Sequence, residues 1–540
     1  MAEGSERVEG PERYEGPYLM GMDFGTGGVR VGVFDPEGTP VVFTGEEWTL
    51  KHPRPGWAEQ DPNEWWSSLV TATNKAMEES GVPPEEIAGI SVDAMSSTVL
   101  AMDEKDRHLR QAILWMDVRA SDQANRVAQT GDDALKYNGH GPVSAEWGLP
   151  KALWIKDNEP EVYKNAHHIC DCGDWLIQRL TGQWASSINI ASAKYYYDRD
   201  QGGYQGGYPE SLYEAVEAAD LLEKFPQEIL DMGTVVGELK KEVAKELGLK
   251  PGTPVAQGGV DAHVGALGLG VVEPGKMALI TGSSHVMIGQ AKEPIHDPGF
   301  WGAYTDAIVP GQYTVEAGQA STGSIVAWFK NQFASDAAAK AKERGIDTYD
   351  VLTEMAQEVP IGSDGLIVLD YFQGNRSPYT DPLARGMMWG LTLSHTPGHV
   401  FRAIIEGICF GTENILRTMR DHDFELEEKV VSGGPAKSEL WMRIHADVSN
   451  VPISFTRVSE GPVLGSAMLA AVGAGIHPDI PTAARKMVHT SETIEPDAER
   501  HEEYRFYMER YMETYPRMKE LMHKTQRHLA GGDKPETAKS

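Results

Sequence analysis

Tyr18-Leu-Met-Gly-Met-Asp23-Phe-Gly-Thr-Gly-Gly28-Val-Arg-Val-Gly-Val-Phe34 decides the fold. Two short β runs flank a glycine-rich reversal, and Asp35-Pro-Glu-Gly38 then closes a turn, so the stretch predicts a β-hairpin. The glycines interrupt a hairpin and do not open a helix. That excludes a dinucleotide fingerprint, and the absence of GxxxxGK[ST] excludes a Walker loop. The same plan returns in the second half: Met277-Ala-Leu-Ile-Thr281, then Gly282-Ser283-Ser284, then His285-Val-Met-Ile-Gly-Gln290. Two halves that each open on strand, glycine turn and strand predict a duplicated α/β architecture. The seam is expected at Val255–Gly270, where a Gly-Gly turn leads into a helix of small residues. Helical periodicity marks Pro62–Ser80, Asp117–Thr130, Ser324–Phe333, His399–Met419 and a charged terminal run, Asp497–His523.

The whole chain suits this plan. Its 540 residues exceed what one hydrophobic core organises, so two large domains are expected. No apolar run approaches the ~18–20 residues of a membrane span. The polar, acidic start, Met1–Gly16, argues against a signal peptide. The net charge of −31 disfavours nucleic acid and anionic lipid as partners. Three cysteines, Cys170, Cys172 and Cys409, cannot form a disulfide framework and lack zinc-site spacing, which predicts plain thiols in a reducing cytoplasm.

Three local patterns carry candidate chemistry. In the hairpin, glycines let backbone N–H groups converge on phosphate oxygens, Thr26 adds a hydroxyl, and the Asp23 carboxylate can join a magnesium shell. An acidic protein needs such dipoles and Mg²⁺ to hold a nucleotide; the alternative is a tight turn and nothing more. In Gly258-Gly-Val-Asp261-Ala-His263, the aspartate opens a helix and could accept a hydroxyl proton, although an N-cap is the competing use. In Val430-Val-Ser-Gly-Gly-Pro-Ala-Lys-Ser438, a strand ends in two glycines before a helix, a junction that can lie against an adenine or a phosphate.

In this order the three patterns are accompanied by Trp57-Ala-Glu-Gln-Asp-Pro62 with Trp65-Trp66, Ile113-Leu-Trp-Met-Asp-Val-Arg119, Pro150-Lys-Ala-Leu-Trp154 and Gly173-Asp-Trp-Leu176. Further on come Gly374-Asn-Arg-Ser-Pro378 with Asp381-Pro-Leu-Ala-Arg-Gly386, and Glu460-Gly-Pro-Val-Leu-Gly-Ser-Ala467. From about Tyr18 to Gly475 the chain resembles the FGGY carbohydrate kinases of the actin/Hsp70/hexokinase-like superfamily. The resemblance implies an α/β fold of two ribonuclease H-like domains with an interdomain cleft. Its divisions would be a disordered tail (1–17), an N-terminal domain with the sugar site (18–270), a C-terminal nucleotide domain (271–480), and a helical cap and tail (481–540).

It also implies an ATP- and Mg²⁺-dependent kinase for a primary hydroxyl. Asp261 would be the base and Asp23 would lie near the metal. Gly25, Thr26 and Gly27 would form the first phosphate loop and Gly282, Ser283 and Ser284 the second, with Gly433, Gly434 and Lys437 on the adenosine side. The finer texture is nearest the ribulokinase branch. Ser96 and Ser97 in Val92-Asp-Ala-Met-Ser-Ser-Thr98, Trp115, Lys194 and Glu316 in Thr314-Val-Glu-Ala-Gly-Gln319 then become sugar contacts, since hydroxyls pair with charged groups while an aromatic face covers C–H surface. Each has a structural alternative: core for Trp115, a turn cap for the serines, solvated surface for Lys194. His285-Val286 and Ala94-Met95 depart from typical ribulokinases. Ribulose is therefore the first expectation, with xylulose, tetritols, pentitols, glycerol and autoinducer-type diones still open. Many relatives form dimers. A non-kinase ATPase of the superfamily would share the hairpins but not the substrate-loop matches, and a sugar sensor would lack the base.

Overall fold

The computed structural model describes residues 16–529; the expected tails over 1–15 and 531–540 lie outside the described residues. The chain forms two compact units. One takes the residues up to Pro274 together with Ile288–Val315 and Thr456–Thr490; the other takes Gly275–Met287, Glu316–Phe455 and the residues from Ser491 onward.

The first unit is built on the expected hairpin. β1 (Tyr18–Phe24) and β2 (Gly28–Phe34) pair antiparallel, with Asp23 opposite Arg30, and β3 (Pro40–Glu47) extends the sheet. On its other side β1 runs parallel to Ile87–Ala94, which places Asp23 beside Asp93. Pro254–Ala256 and Val235–Glu238 complete six strands. Every residue of β1 is buried, because it is a central strand and the helix Gly461–Gly473 lies on it; its sequence is accordingly an apolar run without alternation. The helix Pro62–Ser80 covers β2 and β3. Its limits follow from chemistry: the Asp61 carboxylate accepts from Asn63 N–H at 2.9 Å, Pro62 fills the first turn, and Gly81 closes it at φ 61°.

In the second unit, Gly275–Thr281 runs parallel to Leu426–Gly433, with Thr281 beside Gly433, and Leu426–Gly433 is parallel to the next strand, with Val431 beside Phe455. Helices Pro397–Arg420 and Glu439–Ser449 pack together, and the long helix Ala498–Leu529 packs on both. Among the described residues no helix is long and apolar enough to cross a membrane. All three cysteines are buried and free.

The terminal helix runs on past the expected His523 to Leu529, and another helix starts late. The helix forecast from Asp117 starts at Ser121. The Asp117 carboxylate is occupied elsewhere: it accepts from Ala58 N–H at 2.6 Å and from the Arg119 guanidinium at 2.7 and 2.9 Å.

Candidate active site

The turn between β1 and β2 is held from behind. Trp48 Nε1 and Gln60 Nε2 donate to the Thr26 carbonyl at 3.0 and 2.8 Å, and Trp115 Nε1 donates to the Thr26 hydroxyl at 2.9 Å. Its glycines divide into two kinds. A Cβ on Gly28 would lie 2.4 Å from the Glu46 carbonyl, so packing demands glycine there. On Gly25 a Cβ would meet nothing closer than 3.7 Å, and on Gly27 nothing within 4 Å; neither has a positive φ. The protein itself asks for no glycine at these two positions, and their bare backbone is open to a ligand.

The second unit repeats the device. Gly282-Ser283-Ser284 follows Thr281, whose hydroxyl donates to the Ser432 carbonyl at 2.6 Å and ties the two glycine loops together. The N–H groups of Thr322 and Ser324, at the start of the helix Gly323–Phe333, donate to the Ser283 carbonyl at 2.9 and 3.1 Å. Gly433 is structural: its φ is 100°, and a Cβ would come within 1.8 Å of the Thr281 carbonyl. Gly282 and Gly434 are free of such pressure, with 3.6 Å and more than 4 Å of room. Gly282, Ser283, Gly433, Gly434 and Lys437 are exposed.

Asp261 is the first residue of the helix Asp261–Gly268, and the cap position belongs to Val260. The competing N-cap role is therefore not the one it fills. Its Oδ1 accepts from the adjacent Ala262 N–H at 2.7 Å, and the side chain is half-buried. The turn before it is pinned by Asn189: Oδ1 accepts from Val260 N–H at 2.9 Å, while Nδ2 bonds the Ala307 carbonyl and the His263 ring. His263 and His285 are both buried. Asp93, on which the Asp261 charge acts, belongs to a carboxylate pair. Asp23, 3% exposed, faces Asp93, 0% exposed, and the Ser466 hydroxyl donates to Asp93 Oδ2 at 2.7 Å. Burial, and then the neighbouring Asp23 charge, push the Asp93 carboxyl well above the ordinary range; burial also raises Asp23, against which Arg30 acts at 3.7 Å. Arg30 is shared with Glu460 at 2.7 Å.

The described residues contain no cluster of three metal-ligating side chains. Mg²⁺ needs none, since it takes one or two carboxylates and draws its remaining ligands from water and phosphate. A buried aspartate at the root of an open glycine turn fits such an ion.

Of the expected sugar contacts, Ser97 is buried with φ 55°, and its hydroxyl lies 3.3 Å from that of Ser96, which is half-buried. Trp115 is half-buried rather than core, and bonds the Thr26 hydroxyl in the turn between β1 and β2. Lys194 is not solvated surface: at φ 83° its ammonium stands 4.5 Å from the Trp301 ring, 5.6 Å from Trp147 and 5.8 Å from Tyr304. Glu316, the first second-unit residue of the strand Tyr313–Gln319, is 9% exposed. Trp65 and the Tyr195–Tyr197 run are core. The roles of Asn189 and Ser466 and the pairing of Asp93 with Asp23 are not legible in the sequence, because each contact spans a long separation along the chain.

Each unit thus carries a glycine-lined turn of open backbone, and the first unit adds a carboxylate at the head of a helix. The chain belongs to the FGGY family of carbohydrate kinases: the family's N-terminal domain matches residues 18–268 and its C-terminal domain residues 277–474. It is a carbohydrate kinase. It is 33% identical over 492 residues to a ribulokinase of Geobacillus thermodenitrificans, covering 85% of this chain and 86% of that one. It is 32% identical to an FGGY carbohydrate kinase domain-containing protein of Xenopus laevis, over 92% of this chain and 95% of the relative. A xylulose kinase from Rhodospirillum rubrum superposes with a TM-score of 0.82 at 27% identity, covering 94% of this chain and 100% of that one.

Proposed function

We propose that the protein is a cytoplasmic ATP-dependent kinase that phosphorylates a terminal primary hydroxyl of a ketopentose such as ribulose. The observation that carries the reading is the glycine pattern. At Gly25, Gly27, Gly282 and Gly434 neither backbone conformation nor neighbouring atoms require glycine, and a phosphate chain laid on the bare backbone supplies the missing reason. Names among the relatives support ribulose as the first substrate to try. Lys194 and Glu316 supply a donor and an acceptor for sugar hydroxyls, and Trp115 offers an aromatic face.

In the reaction, Asp261 accepts the proton of the sugar hydroxyl as its oxygen bonds the γ-phosphorus. The bond from that phosphorus to the β–γ bridging oxygen breaks, and ADP leaves. Backbone N–H groups of the two loops, with Thr26, Ser283 and Ser284, hold the phosphates in place. Mg²⁺, when bound beside Asp23, neutralises phosphate charge.

The test is stoichiometric ADP and sugar-phosphate formation across a panel of ribulose, xylulose, tetritols, pentitols and glycerol. Ribulose should give the highest kcat/KM. Asp261→Asn should lower kcat by roughly 10²–10⁴-fold, the usual worth of a general base, while MgATP binding stays within about twofold. A variant with near-normal turnover removes Asp261 from the mechanism, and an enzyme that hydrolyses ATP without making any sugar phosphate removes the kinase reading.

A further inference from the structure

Lys151 lies in the helix Gly148–Asn158 and is wholly buried. Burying an ammonium is costly unless every proton finds an acceptor; burial pulls the Lys151 pKa down to about 7, and in the protonated form its three protons find three acceptors. Nζ donates to the carbonyls of Ser97 at 3.0 Å, Trp115 at 2.9 Å and Glu146 at 2.5 Å. These belong to three separate segments of the first unit. Ser97 carries the unusual φ of 55° beside Ser96. Trp115 extends to the Thr26 hydroxyl of the phosphate turn. Glu146 precedes Trp147, whose ring stands 5.6 Å from the Lys194 ammonium. A filler of core space would need only the aliphatic stem; nothing about packing explains an ammonium aimed at three turns.

We infer that Lys151 is a positioning residue for sugar recognition: its ammonium fixes the turns bearing Ser97, Trp115 and Trp147 in one arrangement and, through Trp115, ties that arrangement to the phosphate turn. The inference rests on the sugar-kinase reading above. It predicts a particular split. Without the ammonium the turns loosen, so the sugar KM rises, while the nucleotide side, made largely of backbone held by Trp48 and Gln60, is little affected.

The full-length enzyme with Lys151→Met, which keeps the stem and removes the charge, is compared with Lys151→Arg. The arginine keeps charge and donors, but its planar fork cannot serve three convergent carbonyls as a tetrahedral ammonium does. In each variant that folds, the sugar KM should rise about tenfold or more, with kcat and MgADP affinity within about threefold. A sugar KM within twofold of wild type in a folded variant overturns the inference, as does an equal loss of sugar and nucleotide binding. Failure of both variants to fold also overturns it, by showing a purely structural clamp. A wild-type enzyme inert to every polyol brings down the underlying reading and this inference with it. An active wild type with an unmoved sugar KM in the variants brings down this inference alone.

Discussion

Gly27 and Gly28 are neighbours whose substitution should have opposite consequences. Gly28→Ala would drive a methyl to 2.4 Å from the Glu46 carbonyl, so β2 and β3 must part. The expected result is a fall in stability of about 1–3 kcal/mol, the usual cost of overpacking. Gly27→Ala meets no atom within 4 Å and should melt within a degree or two of wild type, yet raise the ATP KM about tenfold by intruding on bound phosphate. Thermal melts beside ATP kinetics separate the two, and an unchanged ATP KM in Gly27→Ala would detach the turn from the nucleotide. A second residue reports through pH. Asp174 is wholly buried, and burial raises its pKa to about 7 although Asp171 N–H donates to it at 2.9 Å. Because the folded value lies above the unfolded one, between pH ~4 and ~7 only the unfolded chain has ionised this carboxyl, and stability falls as pH rises. Denaturant melts of wild type and Asp174→Asn should diverge across that window, by up to about 4 kcal/mol at pH 7, with wild type losing ground. Parallel curves would mean that Asp174 is ionised throughout.

The helix that presents Asp261 owes its place to contacts between backbones. A Cβ on Gly465 would lie 2.1 Å from the Val264 carbonyl, and one on Gly268 would lie 1.9 Å from the Gly461 carbonyl, so at these glycines the helices Asp261–Gly268 and Gly461–Gly473 approach backbone to backbone. The motif Glu460-Gly-Pro-Val-Leu-Gly-Ser-Ala467 is thus read three ways at once: glycines for the helix contact, Ser466 for Asp93, Glu460 for Arg30. Gly465→Ala should shift the Asp261 helix, lowering kcat roughly 10²-fold with ATP affinity retained and the melting temperature reduced; normal kcat in a destabilised protein would deny that the contact sets the base. Elements of this kind show where sequence reading succeeds and stops. The hairpins were legible because glycines break two β runs, and Pro62–Ser80 because its apolar residues recur at helical spacing. The start at Ser121 was not, because Asp117 reads as a helix-opening residue until its tertiary partners, Ala58 and Arg119, are known. Asn189 and Ser466 were invisible for the same reason: each bonds a residue far away in the chain, with no periodicity to announce it.

At the scale of the molecule, the interleaving of the units could not be read from the chain, since Ile288–Val315 and Thr456–Thr490 join the first unit only through contacts. Net charge, by contrast, is fully legible, and it has a functional consequence. At −31 the protein repels MgATP at long range, while in the proposed site the open turns would hold phosphate through short-range backbone dipoles. Salt should act on these unequally. The screening length falls from about 30 Å at 0.01 M to about 10 Å at 0.1 M ionic strength, which removes long-range repulsion and leaves contacts inside the loops nearly intact. Raising sodium chloride from about 10 to 150 mM at fixed free Mg²⁺ should therefore lower the ATP KM severalfold. The KM of the uncharged sugar serves as the internal control and should stay flat, with kcat unchanged. An ATP KM that rises with salt would show the opposite balance, in which local cations such as Lys437 and Arg30 dominate the nucleotide's approach and the surrounding acidity is felt only at a distance.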